Sequence, residues 1–171
     1  MNTYPTLEEV NVEYELNLSQ DVAERHDCEY NCMGFALGTY EWEDLEDFEY
    51  TYDLKEDNDE EYAMAVAVRS SICYECALKM ILLSQYIENY PRMRVLDNRF
   101  EKLADDEYMV AMKISEDDYH FRRQMDDGKW YEKCGGGPIK ECTDTVHNEY
   151  WWSLCGGNCY DSNTVYLAVM K

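Results

Sequence analysis

The tripeptide Asp126-Asp127-Gly128 constrains the fold more than any other feature of this chain. It separates Tyr119–Met125 from Lys129–Cys134, two strand-like runs. A three-residue loop ending in glycine joins such runs as an antiparallel hairpin, because glycine supplies the left-handed conformation that the loop needs. In that register Met125 faces Lys129, Arg122 faces Glu132 and His120 faces Cys134. Glu132 is then diagonal to His120 on one face of the sheet. A slip of one residue would send Glu132 to the other face.

Around the hairpin, Glu107–Ile114 reads as a largely buried strand and Thr164–Val169 as a final one. The first half reads as helix. Asn31 is placed to cap a short helix, Cys32–Leu37, that Gly38 ends. Glu61–Ile87 reads as one long, mostly buried helix, with Pro91 beyond its end and a link through Arg99 and Lys102. Helices first and antiparallel strands afterwards make an α+β fold without internal repeats. With 171 residues, a single domain over 1–171 is expected, large enough to bury a real core.

Charge narrows the partners. The chain carries 37 Asp+Glu against 15 Lys+Arg, a formal net charge of -22, yet 14% of it is aromatic, which sets it apart from disordered acidic chains. So negative a surface repels phosphate backbones and anionic lipids, so neither direct nucleic-acid binding nor membrane binding is expected. From Glu41 to Glu61 twelve acids accompany one base, Lys55, with Trp42, Phe48 and Tyr52 interleaved. That segment, 41–61, reads as an anchored, solvated face or loop, and as a docking surface for a basic host protein. It lacks the glycine and acid spacing of a calcium-binding loop. Met1–Glu9 shows no basic region followed by an apolar stretch, so the chain is expected to start here and to act in the cytoplasm. Arg69, Glu75 and Lys79 interrupt the most apolar stretch, Tyr62–Ile87, which rules against a membrane span. Eight cysteines are then expected to be mostly reduced thiols, metal ligands or a nucleophile.

Tyr30-Asn31-Cys32-Met33-Gly34-Phe35 holds the first chemical candidate. A cysteine in the first turn of a capped helix faces unpaired N–H groups and the positive end of the helix dipole, and this placement is expected to lower its pKa. Taken alone, Cys32 could equally be a small buried residue. A nucleophile needs a base, and Asp118-Tyr119-His120-Phe121 sets His120 within a strand. Glu132 can orient the imidazole and stabilise its charged form. His26 and His147 have no comparable surroundings.

These residues resemble the papain-like hydrolases of the NlpC type, in which an acidic or amide residue precedes the cysteine and a small and an apolar residue follow it. Glu107–Ala111, Asp118–Arg122, Asp127-Gly128-Lys129-Trp130 and Lys133-Cys134-Gly135 are similar to a set of uncharacterised phage and bacterial proteins. There an Asp-Tyr-His-Phe strand precedes a Gly-Lys-Trp turn, a histidine and a glycine-rich loop. The resemblance covers 28–40, about 105–140 and the last strand. It implies a papain-like fold, Cys32 as nucleophile, His120 as base, and an amide, isopeptide or related acyl substrate on a host or viral protein or peptide, with no cofactor. Glu132 stands where that pattern has its second histidine. The Cys32 backbone N–H would hold the oxyanion, with Tyr30 as a second candidate by proximity.

Other chemistries compete. Cys134, Cys142, Cys155 and Cys159 could form a four-thiolate zinc site, although their spacing is looser than paired C-x2-C. Cys73 and Cys76 stand alone in a helix and read as buried thiols. Cys28, four residues before Cys32, could form a regulatory disulfide with it, but so short a spacing favours an unpaired thiol. A different class of function uses the charge directly: small acidic proteins can imitate DNA and block a defence protein's binding groove. A papain-like scaffold without catalysis, serving as a binding module, is a third alternative.

Overall fold

The computed structural model describes residues 30–43, 58–116, 118–142, 152–153 and 159–171. The acidic stretch from 44 to 57, with His26, Cys28, His147 and Cys155, lies outside the described residues. Two helices come first. In α1, Cys32–Leu37, the Asn31 side chain accepts from the Gly34 N–H, and Gly38 ends the helix at φ 70. In α2, Asp59–Tyr86, the Asn58 side chain accepts from the Glu60 and Glu61 N–H groups. Asp59, Glu60 and Glu61 then sit at the positive end of the dipole, which starts the helix two residues earlier than its apolar pattern suggests.

The expectation that α2 is mostly buried needs correction. Its buried line is Ala65, Arg69, Cys73, Ala77, Met80 and Ser84, steps of three or four residues that trace one helical face. Met64, Tyr74, Leu82 and Tyr86 on other faces are exposed.

The strands are β1 (Met93–Leu96), β2 (Glu107–Ile114), β3 (Tyr119–Gln124), β4 (Trp130–Lys133), β5 (Ile139–Glu141), β6 (Trp152–Ser153), β7 (Cys159–Tyr160) and β8 (Val165–Met170). Six of them form one antiparallel sheet in the order β1-β8-β2-β3-β4-β5, and β6 pairs with β7 separately. The fold is therefore α+β, with its helices preceding the sheet. β1, β5 and the β6–β7 pair are additional to the sequence expectation. No helix among the described residues is long and apolar enough to cross a membrane.

The β3–β4 turn has the anticipated register. Arg122 pairs with Glu132, the Met125 N–H donates to the Lys129 carbonyl at 2.9 Å, and Gly128 has φ 78. Two cores sandwich the sheet. On one face α1 and α2 bring Cys32, Leu37, Cys73 and Met80 against Met112, Phe121 and Leu167. On the other, Trp152 and Tyr160 cover Met109, Ala111, Trp130 and Ala168. β2 is consequently buried from Tyr108 to Ile114 without alternation, as a strand covered on both faces must be. Truncating a core residue such as Phe121 to alanine should cost about 3–5 kcal/mol.

Candidate active site

The site begins with a close approach of backbone to backbone. A Cβ on Gly34 would lie 2.0 Å from the Glu41 carbonyl oxygen, so only glycine lets residues 39–43 fold back over α1. Thr39 and Tyr40 N–H groups donate to the Gly34 carbonyl at 3.1 and 3.2 Å. The Asn31 side-chain amide donates to the Glu43 carbonyl at 2.5 Å, and the Tyr119 hydroxyl donates to the same oxygen at 3.0 Å. The Asn-Cys-Met-Gly motif thus ties the start of α1 to the start of β3, which carries His120.

Cys32 lies at that junction and is 6% exposed. Its pKa reverses the sequence expectation. Burial pushes the thiol up to about 12, and the N–H groups of Phe121, Met33 and Cys32 itself offset this only in part, while the Asp118 charge adds to the rise. The helix start does act as expected, but desolvation is the larger effect.

His120 and Glu132 meet where the hairpin register puts them. His120 Nε2 lies 3.1 Å from Glu132 Oε2, and Arg122 Nε donates to the same carboxylate oxygen at 2.9 Å. Arg122 is fully buried and His120 and Glu132 nearly so. Burial alone would raise the Glu132 pKa; the His120 hydrogen bond and the Arg122 charge more than reverse that, and hold the carboxyl at about 2. The imidazole moves down from its ordinary value, chiefly through burial, against the pull of Glu132. The resting cluster is a carboxylate balanced by Arg122, with a neutral imidazole whose Nε2–H donates to it. Tyr160 and Trp152 flank the ring at centroid distances of 5.5 and 6.2 Å.

Cys32 is beside this pair and not joined to it. Its thiol meets the backbone N–H of Phe121, the residue after His120. Side chains alternate along a strand: Phe121 points into the helix-side core with Cys32, and the His120 ring packs against Trp152 and Tyr160 on the other face. Among the described residues no hydrogen bond joins the thiol to the imidazole. Both groups feel the Asp118 carboxylate, which accepts from the Tyr160 hydroxyl. Tyr30, the other oxyanion candidate, packs its ring with Phe35, Met125 and Tyr131, beneath Lys133.

Cys134 is disulfide-bonded, an exception to the expectation of reduced cysteines, and in that state it cannot serve as a zinc thiolate. Cys73, Cys76 and Cys142 carry reduced thiols, the first two buried on α2 as expected. No group of three metal-binding side chains comes together among the described residues. Sequence reasoning missed the cations lining the His120 face: Arg122 stacks over Trp152 at 4.3 Å, and the Lys113 ammonium lies 5.7 Å from that ring. The period-2 pattern held the signal, since Lys113 pairs with His120. Comparison of the chain with protein-family models, curated proteins and solved structures finds no match.

Proposed function

We propose that this chain is a cysteine-dependent hydrolase of the papain-like, NlpC type, acting on an amide, peptide or isopeptide bond of a protein or peptide. The observation that carries this reading is the 3.1 Å contact between His120 Nε2 and Glu132 Oε2, one residue from the amide on which the Cys32 thiol rests. With Nε2–H directed to Glu132, Nδ1 is left as the basic nitrogen. It takes the Cys32 proton as the sulfur attacks the carbonyl, and Glu132 stabilises the imidazolium that forms. The backbone N–H of Cys32 receives the oxyanion. The imidazolium then protonates the leaving amine, and water resolves the acyl-enzyme. In the structure thiol and ring lie on opposite faces of β3, so this step requires a rearrangement that brings them together.

A peptidyl acyl electrophile, with the labelled residue located by mass spectrometry, tests the assignment. Labelling should fall on Cys32 and drop about a hundredfold or more in His120→Ala, the scale of general-base assistance. Equal labelling of wild type and His120→Ala would refute the pairing.

One observation favours a non-catalytic reading. Arg69, Lys113, Arg122, Arg123 and Lys133, a third of all the cations, are buried, leaving the exterior more acidic than the overall composition suggests. Such an exterior suits an acidic protein that occupies the binding groove of a basic partner. In that case the biological effect survives Cys32→Ala.

A further inference from the structure

At one end of the sheet, the turn after β1 and the segment leading into β8 line an open cavity of about 350 Å3. Arg99, Phe100, Thr164 and Tyr166 line it, with Asp97 and Asn163. Two features single it out. The Arg99 Nε and Nη1 groups are shielded from solvent and have no hydrogen-bond partner, and the Thr164 hydroxyl is in the same position. Arg94 forms a two-point contact with Glu107, at 3.0 Å on each oxygen, and also binds Glu101. Glu101 in turn accepts from the Asp97 N–H at 2.8 Å, and the Asn98 side chain accepts from the Phe100 N–H at 2.9 Å. The turn is therefore held rigid, and the Arg99 guanidinium is stacked 4.6 Å from the Phe100 ring centroid. Two guanidinium nitrogens shielded from water and unpaired cost free energy that a bound anion would recover.

We propose that this cavity is a binding site for a carboxylate group, of the kind a peptide C-terminus carries. The planar fork of arginine matches a carboxylate at two points, and the Thr164 hydroxyl offers a further donor. A singly charged group fits better than a phosphate dianion, whose second charge would face Asp97 at the cavity wall. The site is also well placed. Leu96 pairs with Tyr166, Val165 with Met112 and Lys113 with His120, so the cavity and His120 lie at the same end of the sheet. Tyr166 packs with Trp130 in the cluster that contains Trp152, on the face that carries the imidazole. Two strand spacings, about 10 Å, separate β8 from β3. Binding here requires neither Cys32 nor His120, so it holds or fails independently of the proposed hydrolysis.

Calorimetric titration with N-acetyl-trialanine as the free acid, as its C-terminal amide, and with inorganic phosphate tests the site. The acid should bind at least about tenfold more tightly than the amide or phosphate. Arg99→Gln should remove that preference, Thr164→Val should reduce it, and Cys32→Ala should leave it intact. Because these Arg99 and Thr164 groups make no hydrogen bond in the chain, both cavity variants should stay folded, which urea unfolding checks. Equal binding of acid and amide, tighter binding of phosphate, or an Arg99→Gln protein that is folded and still prefers the acid would each overturn the proposal. If Arg99→Gln is unfolded, Thr164→Val decides: an unchanged preference for the acid overturns the proposal.

Discussion

Glu132→Gln should destabilise the fold strongly at neutral pH and far less in acid. The wild-type carboxyl sits at about 2 in the folded chain against an unperturbed 4.5. A depressed carboxylate pKa contributes stability above 4.5 that is lost as pH falls towards 2. That depression corresponds to about 3 kcal/mol, with little discount for screening because the side chain is 6% exposed. The amide also leaves the fully buried Arg122 without its anion, a situation that elsewhere costs about 3–5 kcal/mol. Urea unfolding at pH 7 should therefore show a loss of about 3–5 kcal/mol. At pH 3 the unfolded carboxyl is already protonated while the folded one is still largely ionised. The gap between wild type and variant should shrink there by about 2 kcal/mol. Combining Glu132→Leu with Arg122→Leu removes both charges together, and should cost less than the two single changes summed. A Glu132→Gln loss below about 1 kcal/mol, or a gap that does not change between pH 7 and pH 3, would refute the view that this carboxylate is ionised and bound by Arg122.

Three other outcomes are expected. Since the Cys32 thiol stands at about 12 rather than 9.0, it holds about a thousandfold less thiolate near neutral pH than an unperturbed cysteine. Iodoacetamide should therefore modify it slowly in the native state and rapidly in urea, and fast native labelling would contradict the burial argument. Gly34→Ala should lower stability by at least about 2 kcal/mol, because its Cβ would meet a backbone oxygen that no side-chain rotation can move; an unchanged melting temperature would show that the 39–43 segment yields without cost. The acid limb of the acylation profile should fall below the ordinary histidine range, since burial keeps His120 neutral to lower pH. A limb above that range would mean that another group is the base.

Local chemistry accounts for what the sequence revealed. Asn31 and Gly38 marked both ends of α1 because a cap and a left-handed glycine each need one residue type at one position. Asp126-Asp127-Gly128 fixed the turn, and the turn fixed the meeting of Glu132 with His120 twelve residues away. What escaped depended on long-range contacts. β1 is only four residues long and gains its identity from pairing with β8, over seventy residues later. The Cys32 pKa depends on its burial in the core beside Phe121, and no local motif encodes that burial. Gly34 was visible as a small residue after the cysteine, but its reason, the Glu41 carbonyl, lies across a turn.

The charges around β3 determine which proton transfer this site could support. On the His120 face, Arg122 and Lys113 surround Trp152, and desolvation with the Arg122 charge disfavours an imidazolium despite the attraction of Glu132. Beside the thiol, burial and then the Asp118 carboxylate disfavour a thiolate. A resting thiolate–imidazolium pair is therefore opposed at both ends, and the neutral pair is the ground state. In the hydrolysis proposed above, charge separation would be favourable only if relieved at once, with the negative charge passing to a substrate oxygen near the Cys32 N–H and the positive charge held by Glu132. Proton transfer and carbon–sulfur bond formation should thus occur in one step. Acylation in D2O should accordingly be slower than in H2O, whereas a preformed ion pair, with its proton already transferred, would leave the rate nearly unchanged.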